Sequence, residues 1–85
     1  MNGYIILGVI ISQRSKEATD VQQVLTDHGC IISMRLGMHE TKGVCAEDAL
    51  LLLKLDGTQE EIHALQDALN AIDGVKTKLM VLESD

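Results

Sequence analysis

Aromatic side chains are nearly absent: Tyr4 is the one aromatic residue in 85, with no tryptophan and no phenylalanine. A core must therefore be built from Leu, Ile, Val, Ala and Met, and no aromatic platforms exist on which unpaired bases could stack. Basic residues are scarce as well, seven against thirteen acidic ones, for a net charge of −6. Such a surface repels phosphate backbones, which argues against direct binding of DNA or RNA. Cysteine occurs twice, at Cys30 and Cys45, too sparsely for the disulfide framework of a small secreted scaffold. The N-terminus carries no basic region, and the apolar run Tyr4–Ile11 is too short to span a bilayer. The expected setting is a reducing cytoplasm, with both cysteines as thiols and no membrane association. Neither a Gly-rich phosphate loop with its Lys nor a Ser or Cys in a recognisable catalytic signature with His is present. No enzymatic activity and no cofactor are expected.

What the chain does have is apolar runs. Ala49-Leu50-Leu51-Leu52-Leu53-Lys54-Leu55 shows neither helical gaps nor alternation, and Asp56-Gly57-Thr58 closes it as a turn. A short continuous apolar run ended in this way reads as a strand buried on both faces. Tyr4–Ile11 is its counterpart near the N-terminus. Residues 1–85 are expected to form one domain. A chain this small buries only about 60–65% of its unfolded surface, so self-association is the expected means of adding stability.

Between these runs the period changes. After the polar turn Ser12–Ser15, a helix is predicted from Arg14 or Ser15 to about His28, with Ala18, Val21, Val24, Leu25 and His28 on one face. Gly29 is the expected C-terminal cap. Cys30–Met38 alternates: Cys30, Ile32, Met34 and Leu36 point one way, and Ile31, Ser33, Arg35 and Gly37 the other, as in a strand at a sheet edge. A long connection, His39–Glu47, precedes the central strand. Thr58-Gln59-Glu60-Glu61 is a capping box, and it opens a helix with Ile62, Leu65, Leu69 and Ile72 in register, stopping at Asp73-Gly74. In the last strand, Val75–Leu82, the residues Val75, Thr77, Leu79 and Val81 oppose Lys76, Lys78, Met80 and Leu82.

The order strand, helix, strand, strand, helix, strand, with right-handed crossovers, predicts an α+β, ferredoxin-like βαββαβ sandwich with antiparallel sheet order 4-1-3-2. That order puts the two apolar strands in the middle and the polar ones at the edges. It also puts both helices on one face of the sheet. The other face, carrying roughly Tyr4, Ile6, Gly8 and Ile10 or their neighbours, Leu and Ala residues of strand three, and Met80 and Leu82 or their alternates, would be bare in a monomer. A patch of that kind exceeds what monomers usually expose. A homo-oligomer, dimer or tetramer, joined through the sheet is therefore expected.

The loop His39–Glu47 holds the residues best suited to ligands. His39, Glu40 and Cys45 offer imidazole, carboxylate and thiolate, the donors that Zn2+, Ni2+ or Cu2+ prefer. Their spacing resembles the ligand region of nickel-responsive repressors, and a second subunit would have to complete the site. A small-molecule effector is expected at a subunit interface near Gly37–Cys45 or the Ser12–Ser15 turn, where irregular backbone offers polar groups. Arg35, Gly37, Met38, His39 and Glu40 are the candidate contacts. The competing readings are a polar loop with a half-buried Cys45 beside an exposed, solvated Arg35, and a scaffold whose only task is association with a partner protein.

Three stretches taken together carry a family resemblance: Arg35-Leu36-Gly37, then Leu51 through Leu65 with the Asp56-Gly57-Thr58-Gln59-Glu60-Glu61 turn inside it, then Ile72-Asp73-Gly74-Val75-Lys76-Thr77-Lys78. In this ordered set the chain resembles the small ACT-like family of iron-only hydrogenase system regulators. The resemblance implies an ACT-like fold, oligomer formation and a regulatory role without established catalysis. The family commonly continues the strand-two glycine with an apolar residue, proline and a basic loop, whereas this chain has Met38-His39-Glu40-Thr41-Lys42. The turn Ser12–Ser15 also lacks the Asp and Gly usual in amino-acid-binding ACT domains.

Overall fold

The computed structural model describes residues 3–12, 18–38 and 48–83, and among them the predicted order of elements is observed. Strand β1 is Gly3–Ser12, helix α1 Ala18–Asp27, β2 Ile32–Met38, β3 Asp48–Leu55, α2 Gln59–Asn70 and β4 Val75–Glu83. The four strands form one antiparallel sheet in the order β2-β3-β1-β4. Read from the opposite edge, this is the expected 4-1-3-2. The fold is α+β and ferredoxin-like.

The core lies between the helices and one face of this sheet. Leu7 and Val9 of β1 meet Leu51, Leu53 and Leu55 of β3, Val21 and Leu25 of α1, and Ile62, Leu65 and Leu69 of α2. Alternation explains the choice: in strands every second side chain shares a face, so the odd-numbered residues of β1, β3 and β4 point to the helices. Val24 and Ile72 pack against the margin of this cluster. The capping box forms as predicted, with Glu61 N–H donating to Thr58 Oγ1 at 3.1 Å and Thr58 N–H donating to Glu61 Oε1 at 2.9 Å. Thr77 ties β4 to α2, accepting from Gln66 Nε2 at 3.2 Å and donating to Asn70 Oδ1 at 2.9 Å.

Three sequence expectations are corrected. Gly29 does not cap α1 in the left-handed conformation, since among the described residues only Gly57 and Gly74 have positive φ. The chain instead tightens into a 3-10 turn, Gly29–Ile31, which places Cys30 outward as a free, exposed thiol and buries Ile31. Strand β2 therefore begins at Ile32, and a register shift between Ile32 and Met34 breaks the expected alternation. One extra residue turns the strand over: Ile32 packs on the core, while Met34 and Leu36 lie on the opposite face. Helix α2 ends at Asn70, with Gly74 at φ 86° turning the chain into β4. The predicted start of α1 at Arg14 or Ser15 lies outside the described residues.

The turn after β3 locks the two halves together. Asp56 N–H donates to Ile31 O at 2.7 Å. Gly57 has φ 155°, and a Cβ there would lie 2.8 Å from Ile31 Cγ2, so the turn tolerates no side chain. Leu53 is fully buried, and truncating it to alanine should lower unfolding free energy by about 2–5 kcal/mol. Thr58→Ala, which removes only the cap, should cost about 1 kcal/mol. Urea denaturation of the two variants measures both, and equal losses would contradict this account of the core.

Candidate functional site

The even-numbered residues of β1, β3 and β4, together with Met34 and Leu36 of β2, make up the sheet face opposite the helices. Register fixes its layout. Leu36, Leu52, Gly8 and Lys78 form one row across the four strands; Met34, Lys54, Ile6 and Met80 form the next. Beyond them Leu50, Ile10 and Lys76 form a third row, and Tyr4 and Leu82 a fourth. No described element covers this face. Leu36 is 50% exposed, Met34 and Met80 each 48%, and Tyr4, Ile10 and Leu82 about as much. At about 4.8 Å between strands and about 3.4 Å per residue, the face spans on the order of 500 Å2 in plan. That lies at the upper end of what a monomer exposes as one apolar patch.

The charge on this face is mostly positive, with Asp48, opposite Ser12 at one end of β3, as the one acidic even-numbered position of β1, β3 and β4. Lys54, Lys76 and Lys78 are the lysines among the described residues, and all three project from it, whereas Asp20, Asp27, Glu60, Glu61 and Asp67 lie on the helices. Lys54 is engaged: its Nζ lies 3.2 Å from Asp56 Oδ1 and 3.3 Å from Ser33 Oγ, and 5.6 Å from the centre of the Tyr4 ring. The Ser33 hydroxyl, and after it the Lys54 ammonium, hold the Asp56 carboxyl below its ordinary value of 3.8. No described residue forms an ion pair with Lys76 or Lys78.

Of the candidate contacts read from the sequence, Arg35 and Gly37 lie on the other side of β2. Arg35 donates to Gln22 Oε1 of α1 at 3.1 Å, so its guanidinium holds helix to strand. Gly37 leaves room for the core, because a Cβ there would come within 3.1 Å of Leu51 Cδ2. Met38 ends β2 opposite Leu50. His39, Glu40 and Cys45 lie outside the described residues, and so does the loop that holds them. Among the described residues no three His, Cys, Asp or Glu are grouped so as to hold a metal ion, and no helix is long and apolar enough to cross a membrane. What the sequence reading passed over is the concentration of lysine on the bare face. Its signal was the alternation of β4, which sets Lys76 and Lys78 beside Met80 and Leu82.

Hollows mark one end of this face. One, of about 360 Å3, is lined by Ile10, Ser12, Gly74, Val75 and Lys76. It adjoins another, of about 200 Å3, through Ile10 and Lys76. The first lies where β1 leaves the sheet, with Ser12 N–H donating to Gly74 O at 2.9 Å.

Known structures share this architecture. An uncharacterised protein from Thermotoga maritima, TM1266, superposes with a TM-score of 0.71 at 28% identity, over 94% of this chain and 96% of its own. CPII, a nitrogen regulatory PII-like protein from Thiomonas intermedia K12 solved with ADP, AMP and bicarbonate, shares the fold at a TM-score of 0.57 and 10% identity, over 95% of this chain and 89% of its own. The ligand-free regulatory subunit of aspartate kinase from Thermus thermophilus does so at 0.50 and 24%, over 94% of this chain and 52% of its own. No curated protein matches. The profile of the TM1266-like family, described as "Iron-only hydrogenase system regulator, putative", matches residues 4–79. Nearly the whole chain falls within that match, and the protein belongs to the TM1266-like family.

Proposed function

We propose that this chain is a non-catalytic regulatory module that works as a homo-oligomer, with the bare sheet faces of two copies packed together, and senses a small molecule at that interface. The observation that carries the reading is the uncovered apolar face. Six of its side chains (Tyr4, Ile10, Met34, Leu36, Met80 and Leu82) keep about half their surface in water. Covering that half on both copies is worth about 9–18 kcal/mol, against about 4–15 kcal/mol of lost freedom on association. The balance favours a dimer that forms reversibly, with its sheets about 10 Å apart. The family match and the regulatory proteins that share the fold support the regulatory part of the reading.

A ligand held between copies would draw on the end of the face near Ser12 and on the segment from Met38 to Cys45, with Met38, His39 and Glu40 as its candidate contacts, while Arg35 and Gly37, on the helix side of β2, would lie outside it. A second reading rests on the three donor types that one loop carries. In it His39, Glu40 and Cys45 bind Ni2+ or Zn2+, and a partner copy completes the coordination. Equilibrium dialysis decides that reading: uptake by the native protein that is lost in Cys45→Ser supports it, and no uptake removes it.

Assembly itself is tested by sedimentation. The native chain should sediment as a dimer or tetramer at micromolar concentration. Leu36→Asp, at an exposed position outside the core, should sediment as a folded monomer with unchanged helical circular dichroism. A native monomer at every concentration contradicts the proposal.

A further inference from the structure

Gly8 occupies the middle of a central strand for no reason internal to the subunit. Its φ is not positive, and a Cβ built on it meets nothing nearer than Lys78 O at 3.8 Å and Leu52 Cδ2 at 4.0 Å. The contrast with Gly37 and Gly57 is plain, since at both of those a side chain would press on the core. Glycine weakens a strand interior, and where the fold does not demand it, it marks a place that a ligand or another backbone approaches closely. Above Gly8 lies the hollow of about 200 Å3, bounded by Ile10 and Leu50 on one side and by Lys76, Thr77 and Lys78 on the other. With the adjoining hollow of about 360 Å3, the space is in the range of small-molecule sites.

Charge identifies the class of occupant. Lys76 and Lys78 stand unpaired among the described residues, on a chain of net charge −6, beside an apolar floor. A cation pair at the rim of an apolar trough complements an anionic head joined to an apolar body. We propose that the trough above Gly8 binds a small amphipathic organic anion, its head on Lys76 and Lys78 and its body over Gly8 between Ile10 and Leu50. The proposal deepens the sensing reading by naming the class of ligand and its place on the same face. It also supplies a mechanism. When two faces close on each other, three lysines of each copy enter one interface, against Asp48 at one end of β3 and Asp56 in the turn after it, already held by Lys54. A bound anion offsets that repulsion and strengthens assembly.

Octanoate is the probe, with octanamide as its neutral match and inorganic phosphate as the bare anion, titrated calorimetrically into the full chain at constant ionic strength. Octanoate should bind saturably. Octanamide and phosphate should each bind about tenfold more weakly or worse, a difference of about 1.4 kcal/mol. The Lys76→Gln/Lys78→Gln variant should lose about the same factor. Gly8→Val, which fills the trough where a Cβ has room, should abolish binding while keeping the native circular dichroism. Absent octanoate binding, or equal binding by native protein and both variants, overturns the proposal. Sedimentation of the same samples separates it from the assembly reading. A monomer that binds octanoate through the lysines keeps the site and removes the assembly, whereas a dimer indifferent to octanoate removes the site and keeps the assembly.

Discussion

A four-stranded sheet has two faces, and this chain has helices for one. Right-handed crossovers force both βαβ units to lay their helices on the same side, so the asymmetry follows from topology. Everything else in the molecule adjusts to it. The odd-numbered residues of the central strands are spent on α1 and α2, where Leu7, Leu53, Leu65 and Leu69 exclude water completely. The even-numbered residues are apolar at Tyr4, Ile6, Ile10, Leu50 and Leu52, but no described element packs against them. A subunit built this way is stable on one side and unfinished on the other.

The electrostatics follow the same division. Acidic side chains crowd the outer surfaces of the helices, and the described lysines sit on the bare face. Lys54 is neutralised locally by Asp56, at the turn where Gly57 and Ile31 lock the two halves together. Lys76 and Lys78 are left to solvent. An apolar surface with a cationic rim, on a protein that is acidic elsewhere, selects for what is both greasy and negative. It disfavours a polyanion, which would meet the net negative charge of the whole chain.

Much of this was legible in the residues alone. The order of elements, the sheet order and the capping box could all be read from periodicity, turn chemistry and crossover handedness, and so could the existence of a bare face, but which alternating set forms it is fixed only by the packing of Leu7, Val9 and Leu53 under the helices. The start of β2 could not. Cys30–Met38 alternates well enough to pass for one strand, and only the tertiary demand for Ile31 inside the core breaks it into a 3-10 turn and a shifted strand. Arg35 shows the same limit. An arginine on an edge strand is a candidate ligand contact in the sequence, but its partner, Gln22, comes from a helix that only the folded chain brings near. The candidate ligands His39, Glu40 and Cys45 were chosen by donor chemistry, which is a property of residue type and carries no geometry. Gly8 was visible as a gap in an apolar run, yet that it is unforced emerges only when its surroundings are known.

The central claim is that the bare face is closed in the working protein, and its methionines report on it directly. Met34 and Met80, on opposite edge strands, are each 48% exposed in the single subunit, so dilute hydrogen peroxide should oxidise them readily unless another copy covers them. Mass spectrometry of peptides should find both oxidised slowly in concentrated protein and progressively faster on dilution. Oxidation of both at the rate of free methionine, at every protein concentration, would contradict the account.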